Sequence, residues 1–283
     1  MFAMTDPTSS ALPEASVQLY SLATEFSADM HGSLERLAAI GLKNVEAFDF
    51  VRRPAEIRSA LDATGLASPT GHAPLLSDEL WTPDGSIPTP APEVVFEAAA
   101  AIGMTTVIDP FVEPERWRTE DGVADSAERL NRAADVASTF GLTVGYHNHA
   151  QEFVASFDGV TAYERFLSLT DERVAIELDL FWALTGGQDL PALVKRIGSR
   201  LVAVHVKDGV VPPTNPWAPG EGSFASDSLD QRHPGAGDVP LAESLRAGTD
   251  IRFAVIEYDH APGDVFEDVA AGYAFLRDGG FVA

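Results

Sequence analysis

The feature that most constrains the fold of this chain is a regular alternation of short β-favouring runs with longer segments of helical period. Apolar residues at every second position indicate strands, whereas apolar residues at every third or fourth position indicate amphipathic helices. Several helical segments end in glycine just before the next strand, where a left-handed C-cap is expected. The pattern predicts parallel strands joined by right-handed crossovers. The predicted strands are VQLYSL (17–22), NVEAFDF (44–50), LASPTGHAP (66–74), TTVIDPF (105–111), TVGYHNH (143–149), VAIELDL (174–180), LVAVHVKD (201–208) and FAVIEYD (253–259).

Eight strand–helix units are the number that closes a (β/α)₈ barrel. We therefore predict a single-domain TIM barrel of the α/β class over residues 16–283, after a flexible tail over residues 1–15. A doubly wound open sheet is the alternative, but no Gly-rich phosphate loop follows the first strand. A segment at about 209–240, rich in Pro, Gly, Ser and Asp, follows the seventh strand. We predict that it is a lid over the catalytic face, with a mobile insertion as the alternative.

Composition excludes several classes of partner. The chain has 283 residues, of which 43 are acidic and 19 basic, giving a formal net charge of −24. Such a surface repels phosphate backbones and anionic lipids, so we expect neither nucleic-acid nor membrane binding. The absence of cysteine excludes disulfides and thiolate metal sites. No signal peptide or membrane-spanning apolar run is evident, and we expect a cytoplasmic protein.

The polar residues at the ends of the fifth to eighth strands predict a metal centre. In a (β/α)₈ barrel the active site lies at the C-terminal ends of the strands, so side chains there converge on one rim. Three carboxylates brought near one imidazole repel each other unless a divalent cation cancels their charge. Such ligands suit Mn²⁺, which we favour, or Mg²⁺, Co²⁺ or Zn²⁺. The predicted ligands are Glu152, Asp179, His205 and Glu257.

Further side chains at the same rim are candidates for catalysis. Lys207 shares a strand face with His205, so its ammonium would lie beside the metal, where it could bind a substrate oxygen or stabilise an enolate. His147 and His149 share a face at the end of the fifth strand, where they could contact substrate or brace Glu152.

Three candidates for substrate contact lie elsewhere on the rim. Glu46 and His72 close the second and third strands, and Trp182 follows the sixth. The structural alternative for each is rim packing. Taken alone, each of the predicted ligands also has a structural alternative, as a hydrogen-bonded strand end or a helix cap. Their joint occurrence at four successive strand ends is what favours a metal centre.

Four segments, in this order, resemble one protein family: GYHNHAQEF (145–153), ELDLFWALTGGQD (177–189), RLVAVHVKDG (200–209) and GAGDVP…VIEYD (235–259). They are similar to the sugar phosphate isomerase/epimerase family of the xylose isomerase-like TIM barrels. That superfamily includes ketose 3-epimerases, inosose dehydratases and endonuclease IV. The resemblance implies the same metal ligands and, in the epimerases, an acid/base pair formed by the two metal-bound glutamates, here Glu152 and Glu257.

The resemblance implies a metal-dependent sugar or cyclitol isomerase/epimerase that forms an enediolate, with Glu152, Glu257, Lys207 and His149 as catalytic residues. The alternatives are a lyase on the same scaffold, such as a 3-keto-glycoside or C-glycoside eliminase or an inosose dehydratase, and a non-catalytic sugar-binding subunit. The expected partner is a small sugar or keto-sugar, with a homo-oligomer or a complex with a second subunit also open. Endonuclease activity is disfavoured, because its trinuclear site needs more ligands and the net charge repels DNA. Many epimerases of the family carry a substrate-binding histidine near the position of Trp182, so substrate identity stays open.

Overall fold

The chain forms a barrel of eight parallel strands. The computed structural model describes residues 11–82, 85–220, 228–261 and 263–283, so residues 1–10 of the predicted tail lie outside the described residues. In chain order, the first strand is hydrogen-bonded to the eighth, and each strand from the eighth down to the third to the one before it; a parallel bridge from Gln18 to Glu46 joins the first strand to the second. The TIM barrel prediction is therefore confirmed. The strands are β1 (Glu14–Val17), β2 (Asn44–Ala47), β3 (Ala67–His72), β4 (Thr106–Asp109), β5 (Thr143–His147), β6 (Ala175–Asp179), β7 (Leu201–Val206) and β8 (Phe253–Ile256).

Helices follow the strands and surround the barrel. As expected, glycines with positive φ end several of them: Gly41 (φ 111°) ends the second helix and Gly103 (φ 92°) the fourth, a conformation that favours a residue without Cβ. Among the described residues the α-helices are α1 (Ala23–Ala28), α2 (Met30–Ile40), α3 (Pro54–Thr64), α4 (Pro92–Ile102), α5 (Glu120–Thr139), α6 (Ala162–Leu169), α7 (Leu180–Thr185), α8 (Leu190–Ile197), α9 (Leu241–Ala247) and α10 (Val265–Asp278). No helix in the described ranges is long and apolar enough to cross a membrane.

The side chains of each strand alternate between the barrel interior and the helical layer. On β5, Tyr146 faces outward, where its ring lies 4.9 Å from that of Phe166 and 5.5 Å from that of Trp117. All three rings are buried, and burying each contributes roughly 1.5–3 kcal/mol. The neighbouring residue, His147, consequently points inward. This alternation decides which residues of the GYHNHAQEF segment reach the interior.

The first strand begins earlier than the sequence predicts. β1 runs from Glu14 to Val17, where we predicted a strand at 17–22, so the chain joins the barrel within the predicted tail. Residues 19–22 form a 3₁₀ helix instead, because the Gln18 side chain accepts a hydrogen bond from the Tyr20 amide and caps this turn.

The segment after β7 is tied back to the barrel at both ends. Asp208–Gly209 pairs antiparallel with Gln231–Arg232. The buried Asp208 carboxylate accepts hydrogen bonds from the amides of Gly209, Gly235, Gly237 and Val239. Between these ends, the Asn215 side chain donates to the Ala150 carbonyl at 2.7 Å. Residues 221–227 lie outside the described residues. The lid assignment for 209–240 stays a prediction.

Candidate active site

Polar side chains from seven of the eight barrel strands meet at the C-terminal end of the barrel. A cavity of about 350 Å³ lies beside them. Two residues apart on one strand, Glu177 and Asp179 both point inward, and so do His205 and Lys207. Carboxylates and an ammonium are almost never fully buried unless they are paired, so this burial already indicates a polar network. The residues lining the cavity include Tyr20, Phe48, His72, Phe111, His149 and Glu257.

Four buried residues form a group that could hold a metal ion. They are His147, Asp179, His205 and Glu257, and each offers a ligand atom within 4.8 Å of the others. His205 Nδ1 lies 2.7 Å from Glu257 Oε2, and His147 Nε2 lies 3.9 Å from Asp179 Oδ2. Imidazoles suit cations such as Zn²⁺, and carboxylates suit harder cations such as Mn²⁺, so this mixed set can take either kind.

Lys207 is a buried cation beside this group. Its Nζ lies 2.6 Å from Glu257 Oε2, 3.0 Å from Asp179 Oδ2 and 3.0 Å from Asp259 Oδ2. Burial disfavours the ammonium, but the charges of Asp179, Asp259 and Glu257 outweigh it and hold the pKa of Lys207 well above its usual range. One ammonium does not balance three carboxylates, and the excess of carboxylates favours binding of a cation.

A second layer of polar side chains lies deeper in the barrel. His72 Nε2 lies 2.7 Å from Glu177 Oε1, and His205 Nε2 lies 2.9 Å from Glu46 Oε1. Glu46 also accepts a hydrogen bond from Gln18 Nε2 at 2.8 Å. His147 Nδ1 is 3.2 Å from Glu177 Oε1 but is not aligned for a hydrogen bond. His72, His147, Glu177 and His205 form a second group with metal-ligand spacing.

Burial and neighbouring charges set the protonation of the group. Burial raises the pKa of Asp179 to about 6, although the ammonium of Lys207 acts against this. Burial opposes the charged form of His205, yet Glu177 and Glu257 hold its pKa well above the usual range. The pKa of His147 falls to about 3, first through burial and then through the charge of His205. A neutral imidazole at His147 is the form that ligates metals.

The donor set fits a divalent cation. Asp179 Oδ2 is buried and has no hydrogen-bond partner, because Lys207 Nζ approaches it without hydrogen-bond alignment. His149 Nδ1 is likewise buried without a hydrogen bond at the cavity wall. Buried polar atoms are rarely left in this condition, so they indicate that an ion or substrate completes the site.

Glu152 lies outside both groups, in contrast to our prediction. A 3₁₀ turn over residues 151–153 carries it to the outer side of the barrel, where its carboxylate accepts hydrogen bonds from the Tyr146 hydroxyl at 2.8 Å and from the His149 amide at 3.0 Å. Burial raises the pKa of Glu152 to about 7. The structure brings together the other three predicted ligands and places His147 where we expected Glu152.

The remaining candidates are distributed around the cavity. His72, His147 and His149 line it, as does Glu257. Trp182 is buried beside His149, with ring centroids 5.9 Å apart, and is not part of the cavity wall. Its amide donates to Asp179 Oδ1, so Asp179 also caps the first turn of α7.

Glu46 is fully buried beneath His205 and is not among the residues that line the cavity, so its contact with substrate stays a prediction.

Three residues of the network were not among our candidates. Asp259 contacts Lys207, Glu177 contacts His72, and Gln18 contacts Glu46. The spacing in EYD, with Asp259 two residues after Glu257, is the signal that could have identified Asp259, because residues two apart share a strand face. Glu177 also contacts the imidazole of His205.

Residues 34–278 match the model of the family described as xylose isomerase-like TIM barrel. An inosose dehydratase of Geobacillus kaustophilus is 33% identical over 106 residues, which cover 35% of this chain and 33% of that enzyme.

Solved structures with low sequence identity share the fold. A sugar phosphate isomerase/epimerase from Parabacteroides distasonis superposes with a TM-score of 0.74 at 21% identity, covering 99% of this chain and 100% of that one. The IOLI protein, solved with a bound zinc atom, gives a TM-score of 0.68 at 14% identity, covering 94% of this chain and 97% of that one.

Proposed function

Since the chain belongs to the family of xylose isomerase-like TIM barrels, we propose that it is a divalent-metal-dependent isomerase or epimerase of a sugar or cyclitol. The proposed reaction begins with removal of a proton from a carbon next to a carbonyl. The observation that carries this proposal is the buried group of His147, Asp179, His205 and Glu257, which lies with Lys207 beside a cavity at the catalytic end of the barrel.

These four residues would hold the ion, which we propose is Mn²⁺. When bound, such an ion supplies Lewis acidity that polarises a carbonyl and stabilises charge on its oxygen. The zinc atom in the IOLI structure supports a metal in this fold. Asp179 and Glu257 bring two negative charges, so the ion also relieves their repulsion. The deeper group is less suited, because it offers three imidazoles and a single carboxylate, Glu177, and so brings less negative charge to a cation.

Three side chains at or near the cavity have proposed roles in proton transfer and charge stabilisation. Glu257 lines the cavity. Burial acts to raise its pKa, but the charges of Lys207 and His205 outweigh burial and hold the pKa well below the usual range. Glu257 is therefore ionised and can accept the proton. The ammonium of Lys207 lies close enough to stabilise negative charge on a substrate oxygen.

His149, on the wall formed by β5, would return a proton to the other face of the substrate. Burial keeps the pKa of His149 well below its usual range, so its ring is neutral. It would therefore act as a relay, donating its ring hydrogen to the substrate while its other nitrogen takes a proton from solvent, and Glu257 would release the abstracted proton to solvent.

Exchange with solvent tests the proposal. The protein is incubated with MnCl₂ and a panel of ketoses and inososes in D₂O, and the products are analysed by NMR and mass spectrometry. We expect deuterium at one carbon next to the carbonyl together with isomerised or epimerised product. Glu257→Gln should lower this exchange by at least a hundredfold and weaken Mn²⁺ binding. Glu152→Gln is the matched control, and its Mn²⁺ affinity should stay within a few-fold of the original.

A lyase is the second candidate. With Glu152 outside the cavity, Glu257 is the glutamate on the described cavity wall, and elimination after proton removal needs one base rather than a pair on opposite faces. The local similarity to an inosose dehydratase supports this candidate. Release of water or of an aglycone, with no deuterium in recovered substrate, would favour the lyase over the epimerase. Neither exchange nor elimination across the panel, with Mn²⁺ bound, would contradict both candidates.

A further inference from the structure

A chain of hydrogen bonds with a fixed direction runs beneath the proposed metal group. The Tyr20 amide donates to Gln18 Oε1 at 3.1 Å. Because a backbone N–H can only donate, this contact fixes the orientation of the Gln18 side-chain amide. The other end of that amide, Nε2, then faces Glu46 Oε1 at 2.8 Å and donates to it.

His205 is the next residue in this chain of hydrogen bonds. Glu46 Oε1 lies 2.9 Å from His205 Nε2, and this oxygen, which already accepts from Gln18, acts as the acceptor here as well. His205 Nε2 must therefore carry a hydrogen. In a neutral imidazole the other nitrogen, Nδ1, then holds a lone pair. In the metal-free protein Nδ1 also carries a hydrogen, because it lies 2.7 Å from Glu257 Oε2 and donates to it. A cation held by the metal group would replace that hydrogen, whereas the hydrogen on Nε2 is held by Glu46 on the side away from the group.

Glu46 is fully buried and lies beneath His205 rather than on the cavity wall. Its Oε1 receives both described donors, whereas Oε2 has no hydrogen-bond partner. Glu177 Oε1 also lies 3.0 Å from His205 Nε2, but its aligned partner is His72 at 2.7 Å. Glu46 is thus the aligned acceptor for His205.

We propose that Glu46 is a positioning residue that holds His205 as the Nε2–H tautomer and so presents the Nδ1 lone pair to the metal ion. Carboxylates that accept from the outer nitrogen of a metal-ligating histidine fix its ring orientation and increase its basicity. The inference rests on the proposed metal centre. It assigns to Glu46 a role through His205 in place of the substrate contact that the sequence suggested.

The tautomer is measured directly on the unaltered protein. Zn²⁺ is the probe, because it is diamagnetic, and ¹⁵N–¹H correlation spectra of the histidine rings distinguish a protonated, a metal-bound and a free nitrogen. We expect His205 to be protonated at Nε2 and metal-bound at Nδ1. Metal binding through Nε2, or a hydrogen on Nδ1 in the loaded protein, would overturn the inference.

Two variants of Glu46 distinguish the effect of its hydrogen-bond acceptor from the effect of its negative charge. Glu46→Gln removes the charge but keeps an oxygen that can accept from His205, whereas Glu46→Met removes both at similar volume. We expect Glu46→Met to weaken Zn²⁺ binding about 10–100-fold and Glu46→Gln to weaken it clearly less. Equal losses in the two variants would contradict a role through the acceptor. Asp109→Asn, which alters another buried carboxylate of the barrel, controls for general destabilisation.

The outcomes separate this inference from the proposed function. Failure of the unaltered protein to bind Zn²⁺ or Mn²⁺ contradicts the metal centre itself. Tight binding with the opposite tautomer contradicts only the role of Glu46. The spectra of the unaltered protein keep the inference testable even if Glu46→Met does not fold.

Discussion

Replacing Lys207 by methionine tests the charge balance on which the site depends. The ammonium lies within 3.0 Å of carboxylate oxygens of Asp179, Glu257 and Asp259, and it is 1% exposed. At an effective dielectric constant of about 20, a pair at this distance attracts by roughly 5 kcal/mol before desolvation is subtracted. Breaking a buried pair by removing one partner costs about 3–5 kcal/mol. We expect Lys207→Met to destabilise the metal-free protein by this amount.

The assay is thermal unfolding followed by circular dichroism, in EDTA and in MnCl₂. For a chain of this size, about 2–4 °C of midpoint shift corresponds to 1 kcal/mol, so the metal-free midpoint should fall by roughly 10 °C. Mn²⁺ should raise the midpoint of Lys207→Met more than that of the unaltered protein, because the ion replaces the lost positive charge. Lys195→Met, on the exposed side of α8, is the matched control and should change little.

The stability lost in Lys207→Met should depend on pH in a defined direction. The pKa of Asp179 is already raised to about 6 by burial, and loss of the Lys207 ammonium raises it further. A carboxyl whose pKa is raised on folding stabilises the protein at low pH and loses that contribution as pH rises through the folded pKa. The deficit of Lys207→Met should therefore be larger at pH 8 than at pH 5.5. A metal-free stability within about 1 kcal/mol of the original at pH 8 would refute the reasoning.

Three further predictions concern other parts of the barrel. Burial raises the pKa of Asp109 to about 6, above its unfolded value, so its contribution to stability is complete below about pH 4 and is lost as pH rises through 6. Asp109→Asn should thus cost about 1–3 kcal/mol near pH 4 and less at pH 7 in urea unfolding; a cost that grows with pH would contradict this. Trp217 lies 5.0 Å from Trp182 and 6.0 Å from His149 between ring centroids, so Trp217→Ala should raise KM about two- to tenfold with little change in kcat; a fall in kcat at constant KM would exclude a role in covering substrate. A Cβ on Gly237 would collide with Asp208 Oδ1 and the Gly209 backbone, so Gly237→Ala should speed limited proteolysis within 209–240, and an unchanged cleavage rate would show that this anchor is dispensable.

The fold was predictable from the sequence because its signals are local. Strand and helix periods, together with glycine at helix ends such as Gly41 and Gly103, are each set by the residues within one element. The number of such units then leaves few ways of closing the sheet. The start of β1 was missed because the Gln18 cap of residues 19–22 depends on a side-chain hydrogen bond that no period reveals.

The candidate site was predictable where side chains lie on strands and not where the chain leaves them. Asp179 and His205 lie within β6 and β7, and Glu257 directly follows β8, so alternation indicated their direction. Glu152 lies five residues after the end of β5, and its direction depends on the turn over 151–153 and on the Tyr146 hydroxyl outside the barrel. His147, the last residue of β5, has the position that alternation favours for a ligand.

The anchoring of the segment after β7 has a consequence for how new specificities could arise. Asp208 fixes both the departure and the return of this segment, and it adjoins Lys207 on the strand that carries His205. The residues between the paired ends are thus connected to the barrel at two fixed points beside the proposed metal group. Because the entropy of closing a loop rises only slowly with its length, insertions there add little cost. If the lid prediction holds, exchanging residues 211–230 should change which molecules bind in the cavity, while the proposed metal ligands stay in place.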